Sequence, residues 1–198
     1  MALLAGSPAS ACYSGLGIIP TTDMIEPGGY GIEIQFDGRL AEGTTDTCLL
    51  NTQFGLTSWI ELGVDIDLSE ESDSRQLLNA KWLLLDGGKS KPGLAFGVCN
   101  CAIHSHGSPY LVASRDFGTL RGHLGSMRTN GRNRWFAGID RAITGRFTLM
   151  ADFTRGEDQF ASVGGSYQFT DHLGVTAAAV FPNTRGQDTG FTVHLVLN

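Results

Sequence analysis

The chain has 198 residues, 41% of them apolar and only 17% charged, with a net charge of −6. That length fits one domain or one barrel, and the acidic balance without any basic stripe excludes a nucleic-acid partner. Mean hydropathy is −0.02, and no run approaches the ~18 to 20 apolar residues of a transmembrane helix. A membrane β-barrel escapes that test, because each of its strands alternates.

The first 28 residues stand apart. Residues 1–12 (MALLAGSPASAC) form a short apolar piece followed by Ala9-Ser10-Ala11, the small-x-small pattern cut by signal peptidase. They are expected to be a residual export signal (signal peptide). Residues 13–28 are rich in Gly, Pro and Thr, which predicts an irregular lead-in that lids or plugs the barrel. The barrel proper is expected over residues 29–198.

From residue 29 onward the chain alternates, most sharply in Ile60-Glu61-Leu62-Gly63-Val64-Asp65-Ile66-Asp67. A strand has a side-chain period of two, so such a segment has one apolar and one polar face. Alternation and turn residues predict strands near 29–38, 46–56, 59–68, 77–85, 94–102, 109–116, 119–127, 134–142, 146–154, 160–169, 174–181 and 190–198. Tight hairpins are expected at Thr57-Ser58, Phe117-Gly118, Thr144-Gly145 and Thr170-Asp171-His172. Longer polar links are expected at 69–74, 103–108, 128–133, 155–158 and 182–189, with 86–93 a long link where a tight one is due. Short turns at one end and longer loops at the other predict an all-β fold, a single antiparallel up-and-down β-barrel of about 12 strands (10–12), transmembrane type.

Solvent decides what the two faces mean. The apolar set is too large for the inside of one barrel of this length, and about twelve strands enclose a lumen rather than a packed core. Lys is nearly absent from the strands, whereas soluble surfaces carry more Lys and Glu. Tyr30, Trp82, Trp135, Phe153, Phe169, Phe181 and Phe191 lie near strand ends, where an aromatic girdle belongs. These features predict an apolar belt facing the lipid bilayer of a bacterial outer membrane, and a polar lumen. The alternative is a soluble or surface-assembled β-protein, such as a filament or sheath subunit.

The lead-in GIIPTTDMIEPGGYG over residues 17–31, followed by the hairpin FGLTSWIELG over 54–63, resembles bacterial outer-membrane barrels of the YjbH-like group. The resemblance covers about the first 70 residues. It implies an outer-membrane barrel associated with exopolysaccharide export and hence polysaccharide-export or other envelope proteins as partners. It transfers no catalytic residues.

Two constellations carry chemistry. Cys99, Cys101, His104 and His106 combine soft thiolates with imidazoles, a tetrahedral zinc-like set. Cys99 and Cys101, two apart on a strand, are expected to share the lumen face. The spacing is not a common structural-zinc spacing, and small cysteines filling a narrow lumen explain it as well. The second constellation is the lumen lining: Glu33, Glu61, Asp65, Lys81, Arg121, His123, Asp140, Asp152 and His194. Opposed charges there either satisfy one another and close the barrel or line a pore for small polar solutes. His123 and Ser126 share a strand but point to opposite faces, and no nucleophile motif appears. The expected function is a narrow channel or a structural barrel. No enzyme activity and no cofactor are expected beyond that possible zinc.

Overall fold

The computed structural model describes residues 15–69, 76–88, 91–102 and 105–198. The residual export signal expected over residues 1–12 therefore lies outside the described residues. Twelve strands come after the lead-in: β1 (Tyr30–Arg39), β2 (Thr44–Gly55), β3 (Ile60–Asp67), β4 (Gln76–Leu85), β5 (Gly93–Ala102), β6 (Ser105–Asp116), β7 (Arg121–Thr129), β8 (Arg132–Ala142), β9 (Phe147–Thr154), β10 (Phe160–Gln168), β11 (Leu173–Pro182) and β12 (Gly190–Leu197). Each pairs antiparallel with its sequence neighbours, and β12 returns to β1, so the sheet closes. The expected barrel is borne out, and closure leaves no sheet edge to satisfy.

At one end, three of the tight hairpins use the same device. Thr57 Oγ1 accepts from the amides of Trp59 and Ile60. Thr144 repeats this with Arg146 and Phe147, and Thr170 with His172 and Leu173. A threonine hydroxyl that caps two backbone amides fixes the turn from within. The three hairpins are therefore one turn written three times.

The opposite end corrects one expectation. Longer loops were expected over 103–108 and 128–133, yet β6 begins at Ser105 and β7 runs to Thr129. The reason at the second site is local. Asn130 and Gly131 both have positive φ, 52° and 73°, as a two-residue hairpin with the twist of its flanking strands requires. Arg128 and Thr129 therefore stay paired with Asn133 and Arg132.

The faces sort as in no water-soluble barrel. Large apolar side chains such as Leu62, Leu78, Trp82, Leu124, Val163 and Leu195 are exposed on the outside. The charged residues in the middle of the strands, Glu33, Glu61, Asp65, Lys81, Asp152 and His194, are all buried inside. A continuous apolar outer face far exceeds the patch of a few hundred Å² that soluble monomers tolerate, so the soluble alternative is not favoured. Tyr30, Trp82 and Phe169 sit outward near the turn end, and Trp135 packs edge-on against Phe153 near the other, their centroids 5.5 Å apart.

Two glycines make room for aromatic rings inside the wall. A Cβ at Gly97 would lie 2.4 Å from the Tyr110 ring, and one at Gly125 would lie 2.4 Å from Phe136 Cζ. Each ring thus lies flat over a cross-strand glycine and fills the space a side chain would take. Gly125→Ala is expected to push Phe136 off this seat and destabilise the barrel by about 1–3 kcal/mol, the usual cost of overpacking. Comparing the temperature at which each folded form shifts in gel mobility would measure this.

Candidate functional site

The lead-in does not cap the barrel from outside; it enters it. Gly15 and Pro20 form an isolated bridge, and the Leu16 amide donates to the Ile19 carbonyl, so residues 15–20 make a tight turn. This turn lies against β8, β9 and β10. Gly17 packs on Ser162, Leu16 and Ile19 lie over Gly138, and the Ile18 amide donates to Asp152 Oδ2 at 3.1 Å. From there the chain runs toward the turn end. The Thr22 amide donates to Ser114 Oγ at 3.2 Å, and the Ile25 amide donates to Glu61 Oε2 at 2.9 Å. An irregular segment in a lumen must have its backbone groups satisfied, and the wall supplies the acceptors.

Its apolar side chains also find a seat. Ile19 is buried with Leu83, Ala95, Cys99, Tyr110, Val112 and Phe136, and Leu16, Ile18 and Met24 pack against that cluster. The lumen lining of β4–β8 therefore includes an apolar cradle among its polar residues. The sequence signal was present and differs from alternation. Leu83-Leu84-Leu85, Leu94-Ala95-Phe96, Tyr110-Leu111-Val112 and Trp135-Phe136 are apolar at both parities. Such runs mark strands buried on both faces.

A clamp holds the lead-in where it leaves the lumen. Arg121 grips the Asp23 carboxylate with both arms, at 2.7 and 2.8 Å. Lys81 Nζ donates to the Asp23 carbonyl at 2.5 Å and pairs with Glu61 at 3.5 Å. Burial alone would push the Asp23 carboxyl up, but the Arg121 guanidinium more than offsets it and holds it below the ordinary 3.8. A carboxyl lowered in this way contributes its grip above the ordinary value and loses it as pH falls through the lowered one. The pair is half exposed, so salt also weakens it.

The remaining lining residues form separate networks. His194 Nδ1 meets Glu33 Oε1 at 2.9 Å, and Asn51 Nδ2 donates to Glu33 and Gln35 at 2.8 and 3.1 Å. Asn79 Nδ2 donates to Asp65 Oδ2, and Ser162 Oγ donates to Asp152 Oδ1. His123 bridges Ser114 at 2.8 Å and Asp140 at 2.7 Å. This serine–histidine–aspartate chain was missed in the sequence, where His123 was weighed against Ser126. Counting back across the 117–120 turn would have placed Ser114 opposite His123. The Ser114 oxygen already accepts the Thr22 amide, so here the chain holds the lead-in.

The cysteine–histidine constellation does not assemble as expected. Asn100 has φ of 58° and is the extra residue of a bulge, since Leu78 pairs with Cys101 while Ala80 pairs with Val98. A bulge shifts the alternation by one residue. Cys99 consequently points inward and is buried, whereas Cys101 lines an outer apolar hollow with Tyr30, Ile32 and Leu78. Cys99 is disulfide-bonded and Cys101 is free, so the two supply no shared pair of thiolates. His104 lies outside the described residues, and of His106 only the backbone is described.

Among the described residues, openings lie at two levels of the lumen. Between Glu61, Lys81, Cys99 and Tyr110 there is about 10 Å³, barely the space one water needs. At the turn end a vestibule of about 500 Å³ is lined by Asp23, Glu26, Asp86, Ser114, Asp116 and Arg121.

No protein-family model matches the chain, and neither does any curated protein. Among solved structures, the KdgM porin is similar at 12% identity and a TM-score of 0.61, over 85% of this chain and 98% of that one. The KdgM porin in complex with disordered oligogalacturonate is similar at 10% identity and a TM-score of 0.60, with the same coverage. At these identities the likeness establishes a porin-type barrel fold.

Proposed function

We propose that this chain is a bacterial outer-membrane barrel that forms a narrow channel for small polar solutes and is held closed by its own lead-in. The observation that carries this is the course of residues 16–25. They occupy the lumen and are hydrogen-bonded to β3, β4, β6, β7 and β9. A barrel of twelve strands encloses more space than its own wall fills, and here a separate segment takes up that space. The porin-type fold and the apolar outer belt support the location, and the acid-sensitive Asp23 clamp supplies a way to open.

A second reading, a closed structural or assembly barrel, is favoured by the scant space between Glu61 and Tyr110. Kinship with the YjbH-like group, and with it polysaccharide-export or other envelope partners, rests on the lead-in and its hairpin. A non-enzymatic role is supported by Ser114, whose oxygen is taken up by the Thr22 amide and the His123 ring. The test of the channel reading is pH. In planar bilayers the full chain is expected to be nearly silent at neutral pH and to conduct as pH falls below the ordinary aspartate value of 3.8. A barrel silent at every pH, yet correctly inserted, would favour the structural reading.

A further inference from the structure

The wall beside the cradle holds two buried oxygens that lack a donor among the described residues. Asn51 and Asp65 face each other directly across β2 and β3, and neither has any exposed surface. Asp65 Oδ2 takes the Asn79 amide, but Asp65 Oδ1 and Asn51 Oδ1 receive no hydrogen bond among the described residues. The Asn51 amide cannot be turned to cure this, because its nitrogen already donates to Glu33 and Gln35. Two buried acceptor oxygens on directly paired residues, one a carboxyl oxygen, therefore lack a donor among the described residues. Such an arrangement is costly unless a positive partner completes it.

No side chain among the described residues supplies that partner. The inward bases are committed elsewhere: Lys81 to Glu61 and Asp23, Arg121 to Asp23, and Arg134 to Asp158. His194 is bound to Glu33. Among the described residues, the inward carboxylates, Glu33, Asp37, Glu61, Asp65, Asp140 and Asp152 among them, outnumber the inward bases Lys81, Arg121 and Arg134. The vestibule repeats the bias, with Asp23, Glu26, Asp86 and Asp116 against Lys91 and Arg121.

We propose that Asn51 and Asp65 form a binding station for a small hard cation, and that the lumen passes cations in preference to anions. This rests on the channel reading and names its solute class. Oxygen donors of this kind, one carboxylate and one amide, suit an alkali cation held weakly enough to leave again. The acidic approach raises the local concentration of cations and repels polyanions. The chain would therefore differ from its neighbour that holds oligogalacturonate, an anionic sugar.

Two readouts on the full-length protein test this. First, sodium chloride is expected to raise the temperature of the gel-mobility shift above that in choline chloride at equal ionic strength, since binding only the folded form stabilises it. Asp65→Asn, close to the same shape, should abolish that difference, while Asp37→Asn should keep it. Equal temperatures in the two salts would overturn the station and leave a proton as the partner of Asp65. Second, in a salt gradient across a bilayer, channels opened by Asp23→Ala should show a cation-selective reversal potential that Asp65→Asn moves toward zero. That background removes an acid, so it is biased against the claim. Anion-selective current would overturn the proposal and leave the channel standing; no current from any variant would overturn the channel reading, with the sodium readout still deciding the station.

Discussion

Asp23→Ala is expected to turn a mostly closed barrel into one that opens repeatedly at neutral pH. The substitution removes both charge-assisted bonds to Arg121, while leaving the Lys81 bond to the backbone carbonyl in place. Charge-assisted hydrogen bonds contribute about 1.5–3 kcal/mol when buried, and the exposure of this pair puts it at the lower end. A loss of about 1.4 kcal/mol shifts the closed-to-open ratio about tenfold. Single-channel recording in bilayers would show open probability up by about that factor. Arg121→Ala should behave alike, and the double variant should add little to either single one. Additive effects would mean that the two residues do not act as a pair.

The second large effect concerns the outer face. Val163 lies in the middle of β10, between Ala151 and Ala179, and is 58% exposed. Leu173, at the turn-end start of β11, is also exposed. Val163→Arg is expected to cost about 2–4 kcal/mol of folding stability in lipid, and Leu173→Arg only about 0–1 kcal/mol, because the penalty depends on depth in the bilayer. On a water-facing surface both would fall within about 0.5 kcal/mol of wild type. Folding titrations into phospholipid vesicles would separate these cases, and equal small effects at both positions would argue against a lipid-facing belt.

The fold was legible because a closed barrel writes itself in period two. Each strand from Tyr30 onward must face lipid on one side, so Ile60 to Asp67 or Phe147 to Thr154 could be read without any tertiary knowledge. The tight turns were legible for a similar reason, since Thr57, Thr144 and Thr170 cap their hairpins locally. Features that depend on contacts distant in sequence were not legible. The seating of Ile19 on Leu83, Val112 and Phe136 joins residues far apart in the chain. The bulge at Asn100 breaks the parity on which the Cys99–Cys101 pairing rested. Nothing in the residue types around it announces an extra residue.

The candidate site divides along the same line. That the acids and bases point inward is a consequence of parity alone. Which acid meets which base is not, because strand tilt and the inserted lead-in choose the partners. Arg121 would have been matched to Asp140 across β7 and β8, its direct register partner. It takes Asp23 instead, and His123 takes Asp140. The lead-in thus supplies the partner of a wall residue, so closing and lining share the same side chains here.

The central claim is that residues 16–25 lie inside the barrel and close it. A Cβ placed on Gly17 would lie 3.5 Å from the Ser162 Cβ, within the range that a disulfide spans. The Gly17→Cys/Ser162→Cys pair, inserted in a bilayer and oxidised, is the most direct test. The account predicts that the crosslink forms in the folded barrel, abolishes current even when Asp23→Ala is present, and releases it on reduction. Failure of the crosslink to form, or a crosslinked barrel that still conducts freely, would contradict it.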